Sequence, residues 1–401
     1  METPRIALYA HDTMGLGHTR RNLAIAEALL ASPLRPEVLL LGGARETGQL
    51  AAPLGADSII LPAIHKDHTG RYASRSLPVS IERLIALRSA TLRAALGTFQ
   101  PHLLIVDQVA RGALGELEPV LTELRHAHGT RTVLGLRDVQ DAPSVVRREW
   151  ARARTVEAMC ELYDEVWIYG DRACFDPVSA YGLTPEVSHK VQFTGYIARH
   201  RSDTVVAALE PVLSWLGTEP CALCLVGGGQ DGVQLASAFL RGVAEDHKGI
   251  VVTGPFMPRE KRTHLLALAS DRRRLRVIEF LPELAPLLDR ASQVVAMGGY
   301  NTVCELLSSG HRPLIVPRVK PRREQWLRAR RLQRFGLVDV LSPMRLDPEA
   351  ICSWLESPPP VNPAALGELD FGGLDRIVEL CTELLPLRQS AQVGRMQHAC
   401  V

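Results

Sequence analysis

Hydrophobic positions in this chain fall into short unbroken runs separated by stretches with helical spacing. Residues 5–10 (RIALYA), 38–41, 58–61, 103–106, 132–136 and 166–169 read as buried strands, with helical periodicity at 23–30, 80–96 and 145–162. Apolar runs without polar alternation, spaced by helices, predict a parallel sheet covered on both faces. After Tyr196 the pattern turns polar, and residues 210–220 read as a linker with a short helix. A second array starts at Cys221. It has strands in the run CALCLVGGG from Cys221 and at 250–253, 275–279, 294–296 and 313–316, and helices at 233–243, 259–269, 284–289 and 324–335. A last amphipathic helix, 375–387, follows Pro358-Pro359-Pro360 and is free to pack back on the first half. The expected architecture is α/β, with two Rossmann-like parallel-sheet domains facing a central cleft. A first domain spans 1–196, a linker 197–219, a second domain 220–365 and a returning helix and tail 366–401.

The informative polar residues sit at strand ends, where open α/β sheets bind ligands. The first strand runs into HDTMGLGHTRRN, which places Gly15, Gly17, His18 and Thr19 in a turn at a helix start. Asp107 ends the fourth strand and Arg137-Asp138 the fifth, with Asp141 beyond. Asp138 and Asp141 read equally as helix caps before Pro143. In the second half, Gly298-Gly299 with Asn301 and Thr302 join strand to helix. Glycines let a backbone approach phosphate, and the first helical N–H groups have no internal partner, so this is an anion cradle. Glu305, further into that helix, suits the vicinal hydroxyls of a ribose, and Glu324-Gln325 suits a hexose. Phosphate, ribose and sugar acceptors in this order point to a nucleotide-sugar site.

Composition narrows the picture. The 401 residues are 46% hydrophobic and 22% charged with net charge +2, which suits globular domains and gives no bulk attraction to nucleic acid. Arginines are dense over 318–334. That run could meet a diphosphate or anionic lipid, or be the solvated side of a helix with Trp326, Leu327 and Leu332 inward. Eight cysteines show no framework spacing, and Cys221-x-x-Cys224 lies in a strand that turns the two thiols to opposite faces. With the chain opening directly on a strand and Asp12 in its early polar loop, no signal peptide is expected, and no apolar run reaches spanning length. Together these features lead us to expect a cytoplasmic protein, with peripheral membrane contact left open. His65 and His68 lack companions for a metal site.

The string EFLPELAPLLDRASQVVAMGGYNTVCELLSSGHRPLIVPR, with GGGQDG before it, resembles the donor domain of GT-B glycosyltransferases. Within that fold it is most similar to the MurG group of peptidoglycan lipid-intermediate N-acetylglucosaminyltransferases. In the first half Gly15-x-Gly17-His18 matches, while GLRDVQDAP, YGDRACFDP and FTGY look like a bacterial branch of glycosyltransferases. The resemblance implies that the backbone at Phe280-Leu281 contacts the nucleobase and that Glu305 holds the ribose. It gives the diphosphate to the 298–302 turn and to Gly227, Gly228 and Gly229, and the hexose hydroxyls to Glu324 and Gln325. MurG enzymes carry two glutamines at that last pair, so a plain or modified hexose is open.

The expected reaction moves a hexose or N-acetylhexosamine from a nucleoside diphosphate sugar, UDP above all, to a hydroxyl or amine. The acceptor is a small molecule or a lipid-linked one, and the resemblance implies inversion. No cofactor beyond the donor is expected, and the chain contains no Asp-x-Asp, so no metal need be invoked. His18 is the first candidate base, with Asp138 and Asp107 behind it; His18 could equally bind the diphosphate or cap its helix. A nucleotide-sugar 2-epimerase or hydrolase on the same fold is the alternative.

Overall fold

The computed structural model describes residues 3–11, 17–42, 52–66, 72–198, 209–281, 283–360 and 363–385, the side chains of 127, 128 and 363 excepted. In chain order the first domain contributes β1 (Arg5–Ala10), β2 (Glu37–Gly42), β3 (Ala56–Ile60), β4 (Ile64–Lys66), β5 (Tyr72–Ser74), β6 (Leu103–Asp107), β7 (Arg131–Arg137), β8 (Glu165–Tyr169) and β9 (Val191–Gly195). The second contributes β10 (Cys221–Leu225), β11 (Lys248–Val252), β12 (Leu275–Ile278), β13 (Ala291–Ala296), β14 (Leu314–Ile315) and β15 (Asp339–Val340). Seven strands form one sheet in the order β3-β2-β1-β6-β7-β8-β9 and six form another in the order β12-β11-β10-β13-β14-β15. The pairings within both sheets are parallel, so each strand needs a crossover, and helices cover both faces.

Register decides what meets at the strand ends. Ala10 pairs with Asp107 and Asp107 with Gly135, so the end of β1 lies beside the ends of β6 and β7. In the second sheet Leu225 aligns with Val252 and Ala296, Val252 with Ile278, and Ala296 with Ile315. The segments around Gly227, Gly254, Phe280 and Gly298 therefore leave one edge together.

Some elements differ from the sequence expectation. The helix expected over 145–162 is two, Pro143–Arg152 and Thr155–Leu162, broken where Arg154 takes a left-handed φ of 50°. The strands β4 and β5, which pair antiparallel, and the strands β9 and β15 were not foreseen. Asp141 does not cap the helix Pro143–Arg152. Its N-cap is Ala142 without a side-chain bond, and Asp141 Oδ1 accepts from the Ala142 and Arg323 amides instead. The helix Gly373–Leu384 packs on the helix Gly17–Ala31 and on β9. There Ile377, Leu380 and Cys381 share a core with Ile6, Leu8 and Leu23.

Cys221 and Cys224 face opposite sides of β10, each in a different core cluster, and burial pushes the Cys221 thiol up to about 11. That placement rules out a shared metal or a mutual disulfide within the strand. Among the described residues no helix is long and apolar enough to cross a membrane.

Candidate active site

A cavity of about 240 Å3 opens between the C-terminal edges of the two sheets, with lining residues from both. Its second-domain wall is built from the glycine turns. Gly227, Gly229 and Gly254 take φ of 65°, 94° and 77°, values that favour glycine. A Cβ on Gly229 would lie 2.2 Å from the Thr253 carbonyl oxygen, and one on Gly254 2.2 Å from that of Gly227. The two loops interlock backbone to backbone. Gly227 and Gly228 face the cavity, while Gly229 sits behind them.

Gly299 caps the helix Tyr300–Ser308 without a side-chain bond, so its first amides remain to be satisfied from the cavity. Gly299, Asn301 and Thr302 line the wall there; Asn301 Nδ2 also donates to the Gly17 carbonyl at 2.8 Å. Gly298 is set back: a Cβ there would lie 3.2 Å from the Ile315 and Gln325 side chains, and its carbonyl accepts from Arg328. Phe280, Leu281 and Leu284 form an apolar recess with Val252 and Phe256. Arg20 of the first domain reaches across it, its guanidinium 5.4 Å from the Phe280 ring centre and Nη2 donating to the Leu281 carbonyl at 3.2 Å.

Glu324 and Gln325 begin the helix Glu324–Arg334 and line the same cavity. Gln325 Oε1 accepts from the Arg318 amide at 2.9 Å, and Glu324 Oε1 from Arg318 Nη2 at 2.6 Å. Glu324 Oε2 is buried with no hydrogen-bond partner, an acceptor left for a ligand hydroxyl. Glu305 is half-buried and outside the cavity lining.

On the first-domain wall, His18 is 17% exposed and its Nδ1 lies 2.6 Å from Asp107 Oδ2. Arg21, one helical turn on, reaches both Asp107 oxygens, at 2.8 and 2.6 Å. Burial alone would raise the Asp107 carboxyl, but Arg21 and then His18 hold it well below the ordinary carboxylate range. An ionised Asp107 at that distance fixes the proton on Nδ1, which leaves Nε2 as the basic nitrogen. Thr19 is buried in the same turn; Gly15 and His68 lie outside the described residues.

Asp138 is placed differently. It has no exposure, and both its oxygens accept from the Arg328 guanidinium, at 2.6 to 3.0 Å. Burial works against the Arg328 charge, yet Asp138 holds it more firmly protonated than usual. A carboxylate saturated in this way is not available to take an acceptor's proton. Part of the arginine run is engaged: Arg322 grips Glu149 of the first domain with two bonds of 3.0 Å, and Leu327 packs into the cluster of Val139, Phe175 and Tyr181. Arg323, Arg330, Arg331 and Arg334 are exposed while Leu332 is buried, the solvated side of a helix that the sequence allowed. Sequence reading missed Arg21, whose signal was its i,i+3 spacing from His18.

No protein-family model matches the chain, and no curated protein matches it. Solved structures do. MurG of Acinetobacter baumannii is 14% identical, with TM-score 0.55 over 95% of this chain and 99% of that one. TcCGT1, solved in complex with UDP, is 12% identical with TM-score 0.63, covering 97% of this chain and 96% of that one. A protein of Listeria monocytogenes assigned as a UDP-N-acetylglucosamine 2-epimerase is 11% identical with TM-score 0.58, over 94% and 91%. At these identities the likeness establishes the fold, which is GT-B.

Proposed function

We propose that this protein is a glycosyltransferase that moves a hexosyl group from a nucleoside diphosphate sugar, UDP above all, to an acceptor hydroxyl or amine. One observation carries the reading: His18, held by the buried Asp107, and the start of the helix Tyr300–Ser308 with its open amides line the same cavity from opposite domains. A proton acceptor on one wall and an anion cradle on the other suit displacement of a diphosphate.

In this reading the nucleobase takes the apolar recess at Phe280, under Arg20, and the diphosphate meets the Gly299–Thr302 amides and the Gly227-Gly228 turn. The hexose hydroxyls meet Glu324 Oε2 and Gln325. His18 Nε2 takes the acceptor proton as its oxygen or nitrogen attacks the anomeric carbon. The C1–O bond to the diphosphate breaks as the new bond forms on the opposite face, and the sugar is inverted. Asp107 touches no substrate; it orients the ring and stabilises the imidazolium that forms. Charge growing on the leaving diphosphate is met by preorganised amides and by Arg318. Glu305 keeps its proposed contact to the ribose only if the nucleotide extends beyond the cavity wall.

The likeness to a 2-epimerase keeps a second reading in view, in which donor alone is epimerised or hydrolysed. Incubating the protein with UDP-hexoses, with and without an acceptor library, separates the two. Transfer requires product that appears only with acceptor; free or epimerised sugar formed at a catalytic rate from donor alone refutes it.

A further inference from the structure

Arg137 lines the cleft with no carboxylate in an ion pair to it among the described residues. It ends β7, two residues past the Gly135 that pairs with Asp107, and lines the same cavity as His18 and Glu324. Its neighbours Arg21 and Arg328 are each neutralised, by Asp107 and Asp138. Arg137 makes no ion pair among the described residues, and its one side-chain bond is from Nε to Gln108 Oε1 at 3.4 Å. Neither Nη nitrogen has a partner there. Burial first, then the charges of Arg21 and Arg328, pull its guanidinium down to about 10. At neutral pH it is still a cation, held where its surroundings disfavour one. An arginine that lines a cavity with no ion pair, favoured only at a distance by Glu324 and Asp107, marks a candidate anion site.

We propose that Arg137 binds an anionic group, carboxylate or phosphate, carried by the acceptor next to its nucleophilic atom. The inference rests on the transferase reading above and adds the acceptor's chemical class. Position separates this anion from the donor's diphosphate. The diphosphate cradle is made by glycine turns and a helix start of the second domain, whereas Arg137 stands on the first sheet, one strand from Asp107 and on the side from which His18 works. Two Nη groups in a planar fork match the paired oxygens of either anion.

The test uses the whole protein saturated with UDP, into which inorganic phosphate and acetate are titrated separately, with wild type compared to Arg137→Met. Wild type is expected to bind one of the anions, phosphate if the acceptor group is a phosphoryl and acetate if it is a carboxylate. Arg137→Met is expected to weaken that binding by about 10- to 100-fold, the loss of a charge-assisted hydrogen bond. UDP affinity should stay within about twofold, below the tenfold step that 1.4 kcal/mol represents. The ligand-free variant should melt above wild type, because a repelled cation is gone. Equal anion binding by both proteins, or none by either, overturns the proposal. A fall of about tenfold or more in UDP affinity in the variant reassigns Arg137 to the donor diphosphate and overturns it too. Failure of wild type to bind UDP removes the transferase reading and this inference together.

Discussion

Arg328 and Asp138 meet across the two domains with neither side chain exposed, Nη2 to Oδ1 at 2.6 Å and Nε at 3.0 Å from both oxygens. The Arg328 guanidinium also lies 5.4 Å from the centre of the Tyr300 ring, and Arg21 lies 5.6 Å from it. The Tyr300 hydroxyl accepts from the Ile197 amide at 3.1 Å. A fully buried layer, acid–base–ring–base–acid, thus joins the halves directly behind the cavity.

Removing one member of that pair leaves a buried charge uncompensated. Arg328→Met and Asp138→Asn should each cost about 3–5 kcal/mol in chemical denaturation. The double variant should cost clearly less than the sum. Additive losses would show that the two side chains are not coupled.

His18→Ala should lower turnover by about 10² to 10⁴, the usual contribution of a general base, while UDP affinity persists. Asp107→Asn should act through the same step, so the double variant should be little worse than His18→Ala alone. Independent, multiplying losses would separate the two residues and undo the dyad.

Acid should weaken this wall first. Because Arg21 and His18 hold the folded-state Asp107 carboxyl below its unfolded value, its contribution to stability is fully present above pH ~4 and is lost as pH falls through and below that range. Denaturation midpoints followed from pH 7 downward should show a drop that Asp107→Asn lacks, the variant being less stable at pH 7 and closer to wild type in acid.

Glu324→Gln keeps the side chain's size and removes the charge offered by Oε2. A charged hydrogen bond to a sugar hydroxyl is worth about 1.5–3 kcal/mol, so kcat/KM should fall by that amount for the preferred UDP-hexose. The deoxy sugar lacking that hydroxyl should be nearly unaffected, and UDP affinity should hold. An equal fall for both sugars would take Glu324 away from the hexose.

Gly254→Ala forces a Cβ toward a carbonyl oxygen at a positive φ, strain of about 1–3 kcal/mol. The loop must move, so nucleotide binding should weaken while the circular-dichroism spectrum is retained. Unchanged UDP affinity would mean that the Gly227 turn does not need this neighbour.

How much was legible in the sequence depended on whether a residue's role is local. The glycine turns, the helix start at Tyr300 and the opposite-facing cysteines follow from spacing along one segment, and the structure has them where the pattern put them. Asp107 and Asp138 looked alike in sequence, each an acid at a strand end. What distinguishes them is the arginine each meets, 86 residues away for Asp107 and 190 for Asp138, and spacing carries no record of that. Arg137 was equally mute, since a missing partner is visible only once all the neighbours are placed. The short strands β4, β5 and β15 escaped because two or three residues are too few to show a period.

The helix Gly373–Leu384 closes over a helix, Gly17–Ala31, made long before it. A ribosome therefore releases the first domain with part of its apolar wall bare, and the wall stays bare until nearly all of the second domain has emerged. Maturation of the first domain is in this way timed by translation of the second, and a prematurely terminated chain carries a sticky face that quality control can read.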